Sequence, residues 1–143
     1  MNSNVKQYFE SLDFNAVLAE RQAILQPLVD YIKSKLETQQ PINLTFICTH
    51  NSRRSHLGQV WAQVAAAYFR VKNVYCFSGG TEATACNPRT ITAFQRAGLG
   101  VAKTTESQNP VYEISFDNSS QPIIAFSKVY DQTPNPNRGF AAI

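Results

Sequence analysis

Apolar residues recur in two rhythms along this chain. From Phe14 onward, Val17, Leu18, Leu25, Leu28, Val29, Ile32 and Leu36 lie mostly three or four apart, the spacing of one apolar stripe on a helix. Residues 5–11 predict a shorter helix before it. Asp13 is the expected N-cap of the longer helix. Pro27 interrupts it, which predicts a kink or two helices meeting there. The pattern fades in Glu37-Thr38-Gln39-Gln40, and Pro41 opens the next unit. Leu44–Ile47 form a short apolar, β-rich run, expected as a buried strand. Helical spacing resumes at Ser55 with Leu57, Val60, Trp61, Val64, Ala65 and Tyr68 and ends near Arg70.

Val74–Phe77 reads as a second strand, followed by Ser78-Gly79-Gly80. Asn87-Pro88 is a helix start, an N-cap followed by proline at the first position; Ile91 and Phe94 continue the helix and Gly98 ends it. VAKTTESQNP after Gly100 reads as a polar loop. VYEISF and PIIAFSKVY alternate around DNSSQ, which predicts a hairpin at the sheet edge or over the site. DQTPNPNRG is a turn, and Phe140–Ile143 look like the first half of another buried strand. Strands alternating with helices predict an α/β fold, a parallel sheet flanked by helices. Residues 1–41 form an N-terminal helical extension, residues 42–143 an α/β domain, and the hairpin is an insertion in it.

Composition narrows this picture little. The 143 residues suit one domain with a real core. The net charge of +3 favours anionic substrates without implying nucleic acid. No apolar run approaches a membrane span, and the N-terminus has no signal-peptide core. Three cysteines, Cys48, Cys76 and Cys86, fit a reducing compartment, so a cytoplasmic location is expected. No pair is spaced as a zinc site, and neither a metal nor a cofactor is expected. Cys76 should point into the core.

The chemistry concentrates between the first strand and its helix, in Cys48-Thr49-His50-Asn51-Ser52-Arg53-Arg54-Ser55. A polar loop at a helix N-terminus is a ready anion site, because the first N–H groups lack helical partners and the dipole favours negative charge. Cys48 lies where loop N–H groups, the dipole and Arg54 would lower a thiol's pKa and make it a nucleophile. Arg54 offers a planar fork to two oxygens of a tetrahedral oxyanion. Ser55 can donate to the Cys48 sulfur, and Asn51 tolerates a left-handed backbone. The bland alternative is a buried strand-end cysteine beside a solvated arginine pair.

Residues 48–55, CTHNSRRS, resemble the phosphate loop of the low-molecular-weight protein tyrosine phosphatase superfamily, C-x-G-N-x-C-R-S, which includes the thioredoxin-coupled arsenate reductases. Cys48, Asn51, Arg54 and Ser55 match. His50 replaces the glycine, so a positive φ there would carry strain. Arg53 replaces the second cysteine, which could protect the nucleophile as a disulfide. Residues 78–99 look closer to the arsenate reductase branch. The resemblance covers roughly residues 43–143 and implies a strand order of 2-1-3, with Cys48 at the switch point. It also implies a general-acid Asp beside a proline, a fourth strand and a last helix. No Asp-Pro dipeptide occurs, so a C-terminally truncated chain, with the fourth strand missing, is expected.

By that resemblance the leading activity is phosphomonoester hydrolysis through a cysteinyl-phosphate, with a phosphotyrosine protein as substrate. Cys48 attacks phosphorus. The backbone N–H groups of Thr49, His50, Asn51, Ser52, Arg53 and Arg54, with the Arg54 guanidinium, stabilise the equatorial oxygens. Ser55 stabilises the departing thiolate. Asp117 and Asp131, the acids nearest in sequence to the expected donor region, read as surface turn residues. The second reading is arsenate reduction, with a small oxyanion as substrate, thioredoxin as partner, and Cys86 either a resolving thiol or a structural cysteine. The third is an inactive oxyanion-binding fragment whose N-terminal arm mediates homo-oligomer assembly. Neither nucleic acid nor membrane is an expected partner.

Overall fold

The computed structural model describes residues 1–143. Its helices are α1 (Ser3–Glu10), α2 (Ala19–Glu37), α3 (Arg54–Tyr68) and α4 (Pro88–Arg96), with a single 3-10 turn at Phe14–Ala16. Its strands are β1 (Ile42–Cys48), β2 (Val74–Gly80), β3 (Gly100–Lys103), β4 (Tyr112–Ser115), β5 (Ile123–Ala125) and β6 (Ala141–Ala142). The fold is α/β. A parallel sheet in the order β2-β1-β6 is flanked by helices, and β3-β4-β5 form a separate antiparallel sheet. The central place of β1 and the 2-1-3 order are those that the resemblance implies. Leu44 and Thr45 pair with Ala141 and Ala142, and bonds between Ile143 and both Thr45 and Ile47 extend that pairing.

Two apolar clusters hold these layers together. The larger joins Val5 and Phe9 of α1, Val60 and Val64 of α3, Ile91 and Phe94 of α4, and Ile114, Ile123 and Ala125 of the antiparallel sheet. The smaller joins Ile42, Leu44 and Cys76 to Leu28, Tyr31 and Ile32 of α2. Burying a Val, Ile or Phe side chain stabilises by roughly 1.5–3 kcal/mol, so α1 is a structural part of the main core. Its end is clamped as well: Asn2 caps it by accepting the Val5 N–H, and donates to the Gly98 carbonyl. No helix is long and apolar enough to cross a membrane.

Four local expectations are corrected. Asp13 caps only the 3-10 turn, accepting from Asn15 N at 2.9 Å; α2 begins later, after Leu18, with no side-chain cap. A short aspartate satisfied by its own turn stops the helix from starting there. The helical stretch does not divide at Pro27, which lies inside the single helix α2. Pro27 and Ala23 are both exposed, so the carbonyl that loses its donor is left to water. Gly100–Lys103, read as loop, is strand β3, paired with β4 from Gly100↔Ser115 to Lys103↔Tyr112. It is four residues long, and only Val101 is even half-buried, too little for an alternating pattern to register. The hairpin's second strand stops at Ala125 instead of reaching Tyr130; Val129 instead bridges in parallel to Gly80.

The outer edge of β2 is capped by side-chain amides. Gln59 Nε2 donates to the Cys76 carbonyl, Gln63 Nε2 to the Val74 carbonyl and Asn135 Nδ2 to the Ser78 carbonyl, while Gln63 Oε1 accepts the Cys76 N–H. These groups occupy the places a further strand would take.

Candidate active site

The loop after β1 turns its carbonyls outward. Cys48 O accepts Thr81 N at 3.1 Å, and Thr49 O accepts Glu82 N at 2.9 Å. His50 O accepts the hydroxyls of Ser127 at 2.8 Å and Thr84 at 3.1 Å. Ser52 O accepts Asn87 N, and Arg53 O accepts Leu57 N, each at 2.9 Å. No backbone carbonyl accepts the N–H of residues 49–54; those of Asn51 and Ser52 point at the Cys48 sulfur. Helix α3 starts with no side-chain cap on its first N–H groups. A ring of free donors at an uncapped helix N-terminus attracts an anion.

The order of donors inside the loop is fixed by elimination. Asn51 is fully buried with φ +44. Its Oδ1 accepts the backbone N–H of Lys128 at 2.9 Å, so the other half of the amide, Nδ2, donates to Ser55 Oγ at 2.8 Å. Ser55 Oγ therefore accepts from Asn51, and once Cys48 is ionised the Ser55 proton goes to Sγ, 3.0 Å away, because a thiolate can only accept. Burial raises the Cys48 pKa, but the Ser55 hydroxyl and the backbone N–H groups of Ser55, Ser52 and Asn51 outweigh it and bring the thiol from 9.0 to about 7. Arg54, expected to contribute, is not a cause of this shift. The strain anticipated at His50 is absent, since the loop's positive φ falls on Asn51.

The mouth is lined by Cys48, His50, Ser52, Arg53 and Arg54. Thr49 points its carbonyl to β2's exit, and Asn51 and Ser55 lie buried beneath. Arg53 and Arg54 are exposed and form no ion pair; Arg53 faces the same mouth as Arg54. His50 Nε2 pairs with Glu82 Oε1 at 2.9 Å. Asp117 is engaged elsewhere, bonded to Ser119, Ser120 and the Met1 amino group. Those bonds, opposed by burial, hold its carboxyl down at about 2. Asp131 is exposed and lies outside the mouth. Cys76 and Cys86 are buried, and burial pushes both thiols up to about 12. No group of three or more His, Cys, Asp or Glu side chains is placed to hold a metal ion.

The braces of this loop escape a reading of the sequence. Thr81, Glu82 and Thr84 follow β2, and Ser127 and Lys128 follow β5; all five bond to the loop. The two threonines close after Gly79-Gly80, Thr81 and Thr84, were a signal for the first group. Lys128 is 4% exposed with no carboxylate partner. Its Nζ donates to the Phe126 carbonyl at 3.3 Å and lies 4.5 Å from that ring's centre. Burial lowers its pKa to about 8. Beside it, His56 is held near 4 by burial and by the Lys128 charge.

Comparison with known protein families, with curated proteins and with solved structures finds no match.

Proposed function

We propose that this chain hydrolyses phosphomonoesters through a cysteinyl-phosphate formed on Cys48, with aryl phosphates such as phosphotyrosine as substrates. The observation that carries this reading is the Asn51–Ser55–Cys48 relay at 2.8 and 3.0 Å, set inside a loop whose N–H groups are taken by no backbone carbonyl. A thiol near pH 7 is a nucleophile under ordinary conditions. The phosphoryl oxygens bind to the N–H groups of residues 49–54 and to the Arg54 fork. As Sγ attacks phosphorus, charge spreads over oxygens already facing those donors. In the second step water displaces the thiolate, which Ser55 stabilises by donation.

Arsenate would fit the same loop, but its reduction needs a second thiol. The burial of Cys76 and Cys86 and their pKa values near 12 favour hydrolysis over reduction. The test is rapid acid quench after mixing with 4-nitrophenyl phosphate. A phosphate adduct on Cys48, lost in Cys48→Ser, supports hydrolysis; arsenite release from arsenate with dithiol reductant and no phosphate adduct supports the reductase. Neither product would leave oxyanion binding alone.

A further inference from the structure

The mouth holds a proton donor that the loop motif does not supply. Transfer of a phosphoryl group from a tyrosine-like oxygen leaves a basic phenolate that wants a proton. Among Cys48, His50, Ser52, Arg53 and Arg54, arginine does not give up its proton, a serine hydroxyl is too weak an acid, and Cys48 is the nucleophile. Imidazole is the side chain suited to exchange a proton near neutrality. We propose that His50, oriented by Glu82, is the general acid for the leaving group; this rests on the phosphatase reading above.

The geometry sets this pair apart from an incidental surface contact. Exposed ion pairs by themselves contribute little energy and hold no fixed geometry. Here both partners are anchored through their backbones. Glu82 N donates to the Thr49 carbonyl at 2.9 Å, and the His50 carbonyl accepts Ser127 and Thr84 hydroxyls. Neighbouring Thr81 adds two bonds, to Cys48 O and Thr49 O. The carboxylate thus comes from a segment stapled to the phosphate loop. It engages His50 Nε2, while His50 Nδ1 makes no bond in the chain. A carboxylate against one ring nitrogen restricts how the ring turns and leaves the other nitrogen to face the mouth.

The proton balance closes in two steps. The S–P bond forms as the P–O bond to the leaving group breaks. The oxygen keeps the electron pair and takes the proton from His50 Nδ1. Neutral His50 then accepts a proton from water as its oxygen attacks phosphorus; the S–P bond breaks and the Cys48 thiolate returns. The net change is ester plus water to alcohol plus phosphate.

The test compares kcat/KM for phenyl phosphate, a poor leaving group, with 4-nitrophenyl phosphate, a good one, in wild type, His50→Gln and Glu82→Gln. Both side chains are more than half exposed, at 57% and 59%, so neither change removes buried structure. His50→Gln should lose roughly 100-fold more rate on phenyl phosphate than on the nitrophenyl ester. Glu82→Gln, a positioning change, should shift the ratio the same way by about tenfold. Equal losses on both esters in His50→Gln would overturn the assignment while leaving the phosphatase reading intact. A larger ratio change in Glu82→Gln than in His50→Gln would also overturn it, by making the carboxyl group the acid. Wild-type protein that turns over neither ester and forms no Cys48 adduct would overturn both readings.

Discussion

Asn51 Oδ1 accepts the backbone N–H of Lys128, 77 residues further along the chain, at 2.9 Å. That bond decides which way the buried amide faces, and therefore that Ser55 receives a donor and keeps its own proton for the Cys48 thiolate. The strand-loop-helix unit at β1 and the exit of the antiparallel sheet thus meet at one side chain.

Asn51→Ala should cost about 1–3 kcal/mol, because it strands the buried Lys128 N–H and the Ser55 hydroxyl and puts a Cβ residue without a local bond at positive φ. Asn51→Gly relieves only the backbone part and should recover roughly 1 kcal/mol of that loss. Urea unfolding of the two variants measures the difference. Equal midpoints would mean that the left-handed backbone at Asn51 carries no cost.

Iodoacetamide labelling of Cys48 against pH should show a midpoint near 7, with phosphate protecting. In Ser55→Ala the midpoint should rise, since the hydroxyl that does most to stabilise the thiolate is gone. Cys76 and Cys86 should label only on unfolding. An unchanged midpoint in Ser55→Ala would show that the hydroxyl does not donate to the sulfur.

Arg54→Lys keeps the charge and loses the two-pronged fork; phosphate affinity, read from protection of Cys48, should fall at least about tenfold. Arg53 lines the same mouth, so Arg53→Ala should also weaken binding, by a few-fold, and its effect should vanish at high salt, as for an exposed charge. A larger loss in Arg53→Ala than in Arg54→Lys would reverse the roles.

Gly80 lies beside Cys48 in the β1–β2 register. A Cβ there would meet the Asn51 nitrogen and the Thr49 carbonyl, both at 2.6 Å, as well as the Glu82 carbonyl. All three are backbone atoms and cannot rotate away. Gly80→Ala should therefore destabilise by about 1–3 kcal/mol and abolish oxyanion protection of Cys48. Thermal melting with the labelling assay checks both; retained protection would mean that the loop tolerates displacement.

Acid should destabilise the protein through His56. Its pKa is about 4 when folded against 6.5 as the ordinary value. Between those values the unfolded chain binds the extra proton, so stability is intact above about pH 6.5 and falls as pH drops toward 4. The groups facing His56 are Ser78, at 3.2 Å from Nδ1, the Lys128 charge, which opposes protonation, and the Asn51 backbone carbonyl, which favours it more weakly. Urea midpoints at pH 7 and pH 5 should differ less in His56→Gln than in wild type.

The local features of this protein were legible in its sequence because short-range physics sets them. Strand β1, the uncapped start of α3, Asn87-Pro88 opening α4 and the spacing of Cys48 to Arg54 each depend on neighbours within a few residues, through backbone hydrogen bonding and side-chain period. The place of Ala141-Ala142 beside β1 was legible only through the resemblance, which supplied a strand order. Tertiary structure alone decided which distant hydroxyls and N–H groups meet the loop carbonyls. Thr81, Thr84 and Ser127 have no pattern that names their acceptors; chain crossing chooses them. It also decided that α1 joins the core, that β3 exists, that Arg53 faces the mouth, and that His50 finds Glu82. These are contacts between segments far apart in the chain, and long-range partners are selected by how packed elements deliver backbone and side chain to one point, which no local spacing records.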